Sequence, residues 1–312
     1  MASADLPLVG ARTRIGSARA LRWSAATTLG LLWLVVATGA LVRLTASGLG
    51  CPHWPTCQAN AVLPADTYHS LIEFSNRTIS GIAMLAAVVT AVLAYRVRRM
   101  DAVTGAATVA AIGTVAQVPL GALTVALDLN PIMVMTHFLL AMIVVTFATW
   151  ATVQLWRPAS GRRTAPVADG RVRLAAWGAV TACILLVTTG AFVTAAGPHP
   201  GSTNTPIRRL GNFYWATWTH VRAATVFGVL LLGVTVWLWR RGEGLLARPL
   251  AAVAVGLSLV QFGVGEYQYR NGLPWQVIAV HVALAATLLV LVVAVATLAG
   301  DEPRPAPSEP RI

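Results

Sequence analysis

Long apolar runs separated by short polar connections divide the chain into eight stretches, at about 24–46, 67–95, 101–126, 131–156, 173–196, 212–239, 245–268 and 273–299. Each is long enough to cross a bilayer, which takes roughly 20 apolar residues as a helix. Lipid does not tolerate an open strand edge, so the pattern predicts an all-α integral membrane protein with eight transmembrane helices. Pro131 after Asn130, Pro158 after Arg157, Pro249, and Gly272-Leu273-Pro274 mark helix boundaries.

The pattern also repeats. Thr38-Gly39-Ala40-Leu41-Val42 in helix one recurs as Thr189-Gly190-Ala191-Phe192-Val193 in helix five. Gln117 recurs as Gln261 and His137 as His281, both at an offset of 144. These matches predict two tandem four-helix bundles. An even number of helices gives both halves the same topology, so the expected relation is a pseudo-twofold axis along the membrane normal, with two similar sites on one side. The expected organisation is a cytoplasmic N-terminal segment (1–23), a first half (24–156), a cytoplasmic linker (157–172), a second half (173–299) and a disordered cytoplasmic tail (300–312).

Composition agrees with a membrane setting. Hydrophobic residues make up 56% of the chain and charged residues only 11%, with a mean hydropathy of +0.69. The net charge of +12 would suggest nucleic acid in a soluble domain, but all the basic residues are arginines and most sit in the connections. The N-terminus, loops 2–3, 4–5 and 6–7 and the tail hold 4, 3, 5, 3 and 2 arginines, against 0, 0, 2 and 1 in the other loops. This asymmetry predicts a cell-membrane protein with both termini cytoplasmic, and the bilayer rather than nucleic acid as the partner surface. The first apolar run lacks a small-residue cleavage pattern and is read as a retained helix, not a signal peptide.

Ionisable groups inside such helices are costly and point to function. Four of the six histidines, His69, His137, His220 and His281, fall on the even-numbered helices. The last three lie 6 to 8 residues past the predicted helix starts, which is a common depth of roughly 9–12 Å. Paired histidines from facing helices of a four-helix bundle hold a haem iron from both faces. A single membrane histidine as readily hydrogen-bonds a neighbouring helix, but three or four in one layer, two of them related by the repeat, favour haem ligation. Zinc is disfavoured by the absence of Cys-x-x-Cys or His-x-x-x-His spacing.

The first half departs from the repeat at Tyr68-His69-Ser70-Leu71-Ile72-Glu73-Phe74-Ser75-Asn76-Arg77. The offset of 144 applied to His220 lands on Asn76, which takes the symmetric ligand position. Residues 69, 73 and 76 share a helix face, so His69 is a second candidate for the same cavity from one or two turns higher. Glu73 has two readings, an i,i+4 ion-pair partner of Arg77 and a proton-shuttling carboxylate beside a haem-sized pocket. Cys51 and Cys57, six apart in an outer, oxidising loop, suggest a local disulfide, structural or redox-active. Cys183 reads as a small buried apolar residue. Gln117 and Gln261 read as interhelical hydrogen-bond donors or macrocycle contacts, and Arg43 and Arg222 as propionate partners or interface anchors.

Taken together, the loop Gly48-Leu49-Gly50-Cys51-Pro52-His53-Trp54-Pro55-Thr56-Cys57, the segment Glu73-Phe74-Ser75-Asn76-Arg77, and His137, His220 and His281 resemble the haem A synthase family over nearly the whole chain. The resemblance implies an oxidoreductase of cytochrome oxidase assembly that converts the C8 methyl of haem O to a formyl group. It implies a haem b cofactor on His220 and His281 in the second half, and haem O in the first half near His69, Asn76, Arg77 and His137. Glu73 matches the family's essential carboxylate, and Cys51 and Cys57 its outer cysteine pair. The implied partners are haem O, haem O synthase and an electron donor of unspecified identity, and a homo-oligomer is compatible. Two departures stand out. The family commonly has histidine where Asn76 stands, and loop 5–6 here has no second cysteine pair. A di-haem b-type membrane electron carrier is the alternative; it needs the histidines but not Glu73. A parallel-repeat transporter would bind at the midplane, and a haem farnesyltransferase would need aspartate-rich motifs.

Overall fold

The computed structural model describes residues 8–51, 53–54, 56–61, 63–157, 170–203, 209–242 and 244–299, with side chains from residue 16 onward. The predicted disordered tail 300–312 and most of the linker 157–172 lie outside these residues. Among the described residues eight helices form: α1 (Leu8–Leu44), α2 (Tyr68–Arg98), α3 (Ala102–Ala126), α4 (Pro131–Trp156), α5 (Gly170–Ala196), α6 (Phe213–Arg241), α7 (Ala247–Arg270) and α8 (Trp275–Leu298). All eight are long and apolar enough to span a membrane, so this is a multi-pass α-helical membrane protein.

Helix ends follow local chemistry. Thr67, Asp101 and Asn212 cap α2, α3 and α6, each side chain accepting from the backbone N–H three residues on. Burial works to raise the Asp101 carboxyl, but the Thr104 N–H and the Arg98 guanidinium outweigh it and hold it below the usual carboxylate range. Pro131 opens α4, where its missing N–H costs nothing. Gly242 closes α6 in the left-handed conformation.

One boundary differs widely from the expectation. The helix predicted to begin at 24 begins at Leu8. The Leu, Ala and Arg residues of 8–22 are strong helix formers with no proline among them, so the helix continues beyond the apolar run. Trp23 then stacks edge-on against Trp156 at 5.1 Å, and the Trp156 indole donates to the Arg22 carbonyl.

The chain divides into two units, the first holding α1 to α4 with residues 197–210 and the second holding α5 to α8. The α5–α6 connection therefore belongs with the first unit rather than with the helices it joins. Gly48 N–H donates to the Gly201 carbonyl at 2.8 Å, Ser47 and Ser202 form an antiparallel bridge, and the Arg43 Nε donates to the His199 carbonyl at 3.0 Å. In the first unit α1 touches α2 and α4, and α3 touches α2 and α4, which puts α2 diagonally opposite α4. The second unit has the same square, with α6 diagonally opposite α8.

Packing within each square is uneven along the bundle. In the first unit Leu21, Ala25, Ala94, Val103, Ala106, Ala107, Ala151 and Leu155 form a tight core at the arginine-rich end. Small residues let the backbones approach where lipid provides no hydrophobic drive, and Thr90 adds hydrogen bonds to Ser24 and Thr28 at 2.6 and 2.9 Å. Toward the other end burial thins: it stops at Thr114 on α3, and on α4 no residue between Pro131 and Met142 is buried. The second unit repeats this, with no buried residue beyond Ala254 on α7 or before Ala286 on α8 among those described. The histidines occupy these loosely filled ends.

Candidate functional site

In the second unit all four helices contribute to one constellation. His220 on α6 faces His281 on α8 across the diagonal, with ring centroids 6.4 Å apart and planes at 65°. Two imidazoles gripping one metal ion from opposite sides, at a metal–nitrogen distance of about 2 Å, have ring centres roughly 6 Å apart, so this pair fits the axial positions of a haem. Thr189 on α5 favours one tautomer. Its hydroxyl donates to the Leu186 carbonyl at 2.8 Å, so its oxygen accepts from His220 Nδ1–H at 3.0 Å. That leaves Nε2 with the lone pair a metal needs. The next residue, Gly190, makes room for the ring, because a Cβ there would stand 3.0 Å from His220 Cε1. On the other side Gln261 of α7 donates to the His281 carbonyl at 2.8 Å, and a Cβ on Gly265 would lie 3.4 Å from His281 Cε1.

These supports carry a prediction. Gly190→Ala is expected to push the His220 ring off its position and weaken any low-spin haem signal while leaving the helices intact. Absorption spectra of the purified variant, with circular dichroism as the folding control, check it.

The first unit reproduces the supports with one ligand replaced. Gln117 donates to the His137 carbonyl at 3.0 Å, and a Cβ on Gly121 would lie 3.4 Å from His137 Cε1. The Thr38 hydroxyl donates to Asn76 Oδ1 at 2.8 Å, and a Cβ on Gly39 would meet that oxygen at 3.9 Å. Asn76 thus has the partners of His220, and His137 those of His281. In both units the pattern leaves complementary buried atoms without hydrogen-bond partners: Nδ1 of His137 and Oε1 of Gln117 in one, Nδ1 of His281 and Oε1 of Gln261 in the other. His69 is not in this layer. It is exposed, stacks on Tyr68 at 5.3 Å, and its Nδ1 lies 3.0 Å from Ser47 Oγ.

Glu73 is buried at 4% exposure and clamps the α1–α2 loop. Its Oε2 accepts from the Cys51 N–H at 2.8 Å, and its Oε1 from Arg77 at 2.6 Å. Arg77 also donates through Nη1 to the carbonyls of His53 and Thr56, at 2.8 and 3.2 Å, and through Nη2 to the Cys51 carbonyl at 3.5 Å. Cys51 and Cys57 are joined by a disulfide. The Ser70 hydroxyl donates to the Gly50 carbonyl at 2.6 Å, and a Cβ on Gly50 would strike the His69 carbonyl at 2.5 Å, so only glycine lets the loop lie on α2. The i,i+4 pair expected between Glu73 and Arg77 is present, and it doubles as the floor of the disulfide loop.

Other candidates fall outside these sites. Arg222 lies over the Trp218 ring at 3.3 Å, and Cys183 is buried and unbridged. Both glutamines hydrogen-bond the neighbouring helix. Thr38, Thr189, Ser47 and Ser70 were not singled out from the sequence as site residues, although the repeated Thr-Gly dipeptide was the available signal for the first two.

Fold and sites define a class: an eight-span helical membrane protein whose second unit presents two imidazoles in haem-ligating register. The chain belongs to the cytochrome oxidase assembly protein family, whose model matches residues 22–293. It is 29% identical over 180 residues to a protein named Heme A synthase from Geobacillus thermodenitrificans, covering 56% of each chain, so it spans about half the length of that relative. A protein of the same name from Exiguobacterium sp. is 25% identical over 254 residues, 80% of this chain and 83% of that one. A 58-residue stretch is 50% identical to a Protoheme IX farnesyltransferase of Thermus thermophilus, but covers only 10% of it.

Proposed function

We propose that this chain is a haem A synthase, oxidising the C8 methyl of haem O to a formyl group by successive hydroxylations and loss of water. The observation that carries the proposal is the His220–His281 pair, facing across its bundle at 6.4 Å with Thr189 presetting one ring. The Geobacillus and Exiguobacterium relatives carry that enzyme's name. In this reading the second unit holds haem b on His220 and His281, where it supplies one-electron transfer. The first unit holds haem O on His137, with Asn76 opposite, Glu73 about one turn before Asn76 and Arg77 directly after it. The pseudo-twofold relation between the units and the placement in the cell membrane, termini cytoplasmic and haem sites outward, belong to the same reading.

The engagement of both Glu73 oxygens favours one competitor, a di-haem electron carrier in which that carboxylate is structural. Extraction and chromatography of haems from cells with and without the chain separate the two. Haem A is expected to appear at the expense of haem O. An unchanged haem profile alongside a haem-loaded protein sinks the synthase and leaves the carrier.

A further inference from the structure

We infer that the first unit grips its haem iron from one side only, through His137, and keeps the opposite axial face, at Asn76, for a small external ligand. The inference rests on the proposed haem binding in that unit and concerns what this chain's own residues offer it.

The partners place Asn76 at the ligand position. Thr38 and Gly39 meet it as Thr189 and Gly190 meet His220, while Gln117 and Gly121 support His137 as Gln261 and Gly265 support His281. A carboxamide at that position is a poor axial ligand. Its nitrogen lone pair is delocalised into the carbonyl, and its oxygen is a hard donor of the kind that suits magnesium or calcium rather than haem iron. In Asn76 that oxygen already accepts the Thr38 hydroxyl at 2.8 Å. The amide still brings N–H donors, the groups that in a distal haem pocket favour a bound diatomic molecule.

His69 does not make up the loss. It stands seven residues before Asn76, roughly 10 Å along the helix axis, beyond the reach of an imidazole. Its side chain is exposed, and its backbone is pressed against Gly50 so closely that only glycine fits there. Meanwhile an open groove of about 260 Å³ on α1 and α2 runs past Asn76, lined by Thr38, Leu41, Leu71, Ile72, Ser75 and Ile79. The two units therefore divide the work. The second, with two imidazoles, closes both axial positions and suits electron transfer; the first, with one, leaves iron accessible.

Carbon monoxide is the probe. The full-length protein is purified from cells that make haem O, reduced with dithionite and exposed to the gas, with spin state followed by electron paramagnetic resonance of the oxidised form. Wild type is expected to carry one high-spin, CO-reactive haem and one low-spin, unreactive haem. Asn76→His is expected to abolish the CO-induced spectral change and turn that haem low-spin at unchanged haem content. His137→Ala should lose the CO-reactive haem while the low-spin signal remains, and His69→Ala should leave the CO-reactive haem in place. Two low-spin, CO-inert haems in wild type, one becoming reactive in His69→Ala, would overturn the inference while haem binding stands. A single low-spin haem, lost in His220→Ala, overturns it by leaving the first unit without haem. A chain with no haem at all takes the functional proposal down as well.

Discussion

Replacing His220 or His281 by alanine is expected to abolish the low-spin, bis-imidazole absorption of the purified protein, because each variant removes one of only two axial donors. The loss should be near complete rather than graded. No other described imidazole stands within the layer of the second unit, and the nearest polar group, Thr189, offers a hydroxyl already committed to Leu186. Thr189→Val is the graded companion. It keeps the imidazole but removes the acceptor that holds Nδ1–H, so the ring can rotate and the other tautomer becomes populated. Loss of such an outer partner typically costs 10- to 100-fold in metal affinity. Haem titration of the three purified variants, with circular dichroism confirming helix content, decides the matter. Retention of an unchanged low-spin spectrum by either alanine variant would remove the second-unit haem assignment.

Much of this was legible beforehand, for physical reasons that also mark the boundary. Apolar run length located seven helices to within about three residues, because lipid forces helix wherever the chain crosses. It misplaced the start of α1, because hydropathy reports membrane and not helix, and 8–22 is helical by propensity alone. The offset of 144 found Gln117, His137 and Asn76 because interior side chains of a repeated bundle must repeat. It left His69 open, which shares a helix face with Asn76; the structure adds that His69 is exposed and stands about two turns nearer the helix start. Assignment of residues 197–210 to the first unit was invisible, since the Gly48–Gly201 bond runs between backbone atoms and leaves no side-chain signature. For the same reason Glu73 could be paired with Arg77 from their spacing, but not with the Cys51 N–H.

That backbone contact shapes the second large effect, expected at Glu73. Glu73→Ala should abolish haem A formation while sparing the second-unit haem signal, but the structure gives this variant two faults at once. It deletes the carboxylate, and it leaves Arg77 and the Cys51 N–H without their shared acceptor, a loss that for a buried ion pair costs about 3–5 kcal/mol. Glu73→Gln separates them in part: its amide oxygen still accepts from the Cys51 N–H while the charge is gone, and Arg77, now facing the amide NH2, keeps the His53 and Thr56 carbonyls. Gly50→Ala supplies the reverse case. Its Cβ would lie 2.5 Å from the His69 carbonyl, so the disulfide loop must lift away from α2 while the carboxylate stays. If Glu73 acts chemically on the substrate, haem A vanishes in both Glu73 variants, whereas Gly50→Ala lowers the melting temperature and retains measurable haem A. If Glu73 only clamps the loop, Glu73→Gln makes nearly normal haem A and Gly50→Ala is the more damaging change. Both readouts come from the same cells, haem A by chromatography of extracts and stability by thermal melts of the purified variants. If Glu73 meets substrate as well as holding the Cys51–Cys57 loop, the geometry of that loop is tied to the site. Reduction of the disulfide in wild type is therefore expected to shift the first-unit haem spectrum and leave the second-unit signal unmoved.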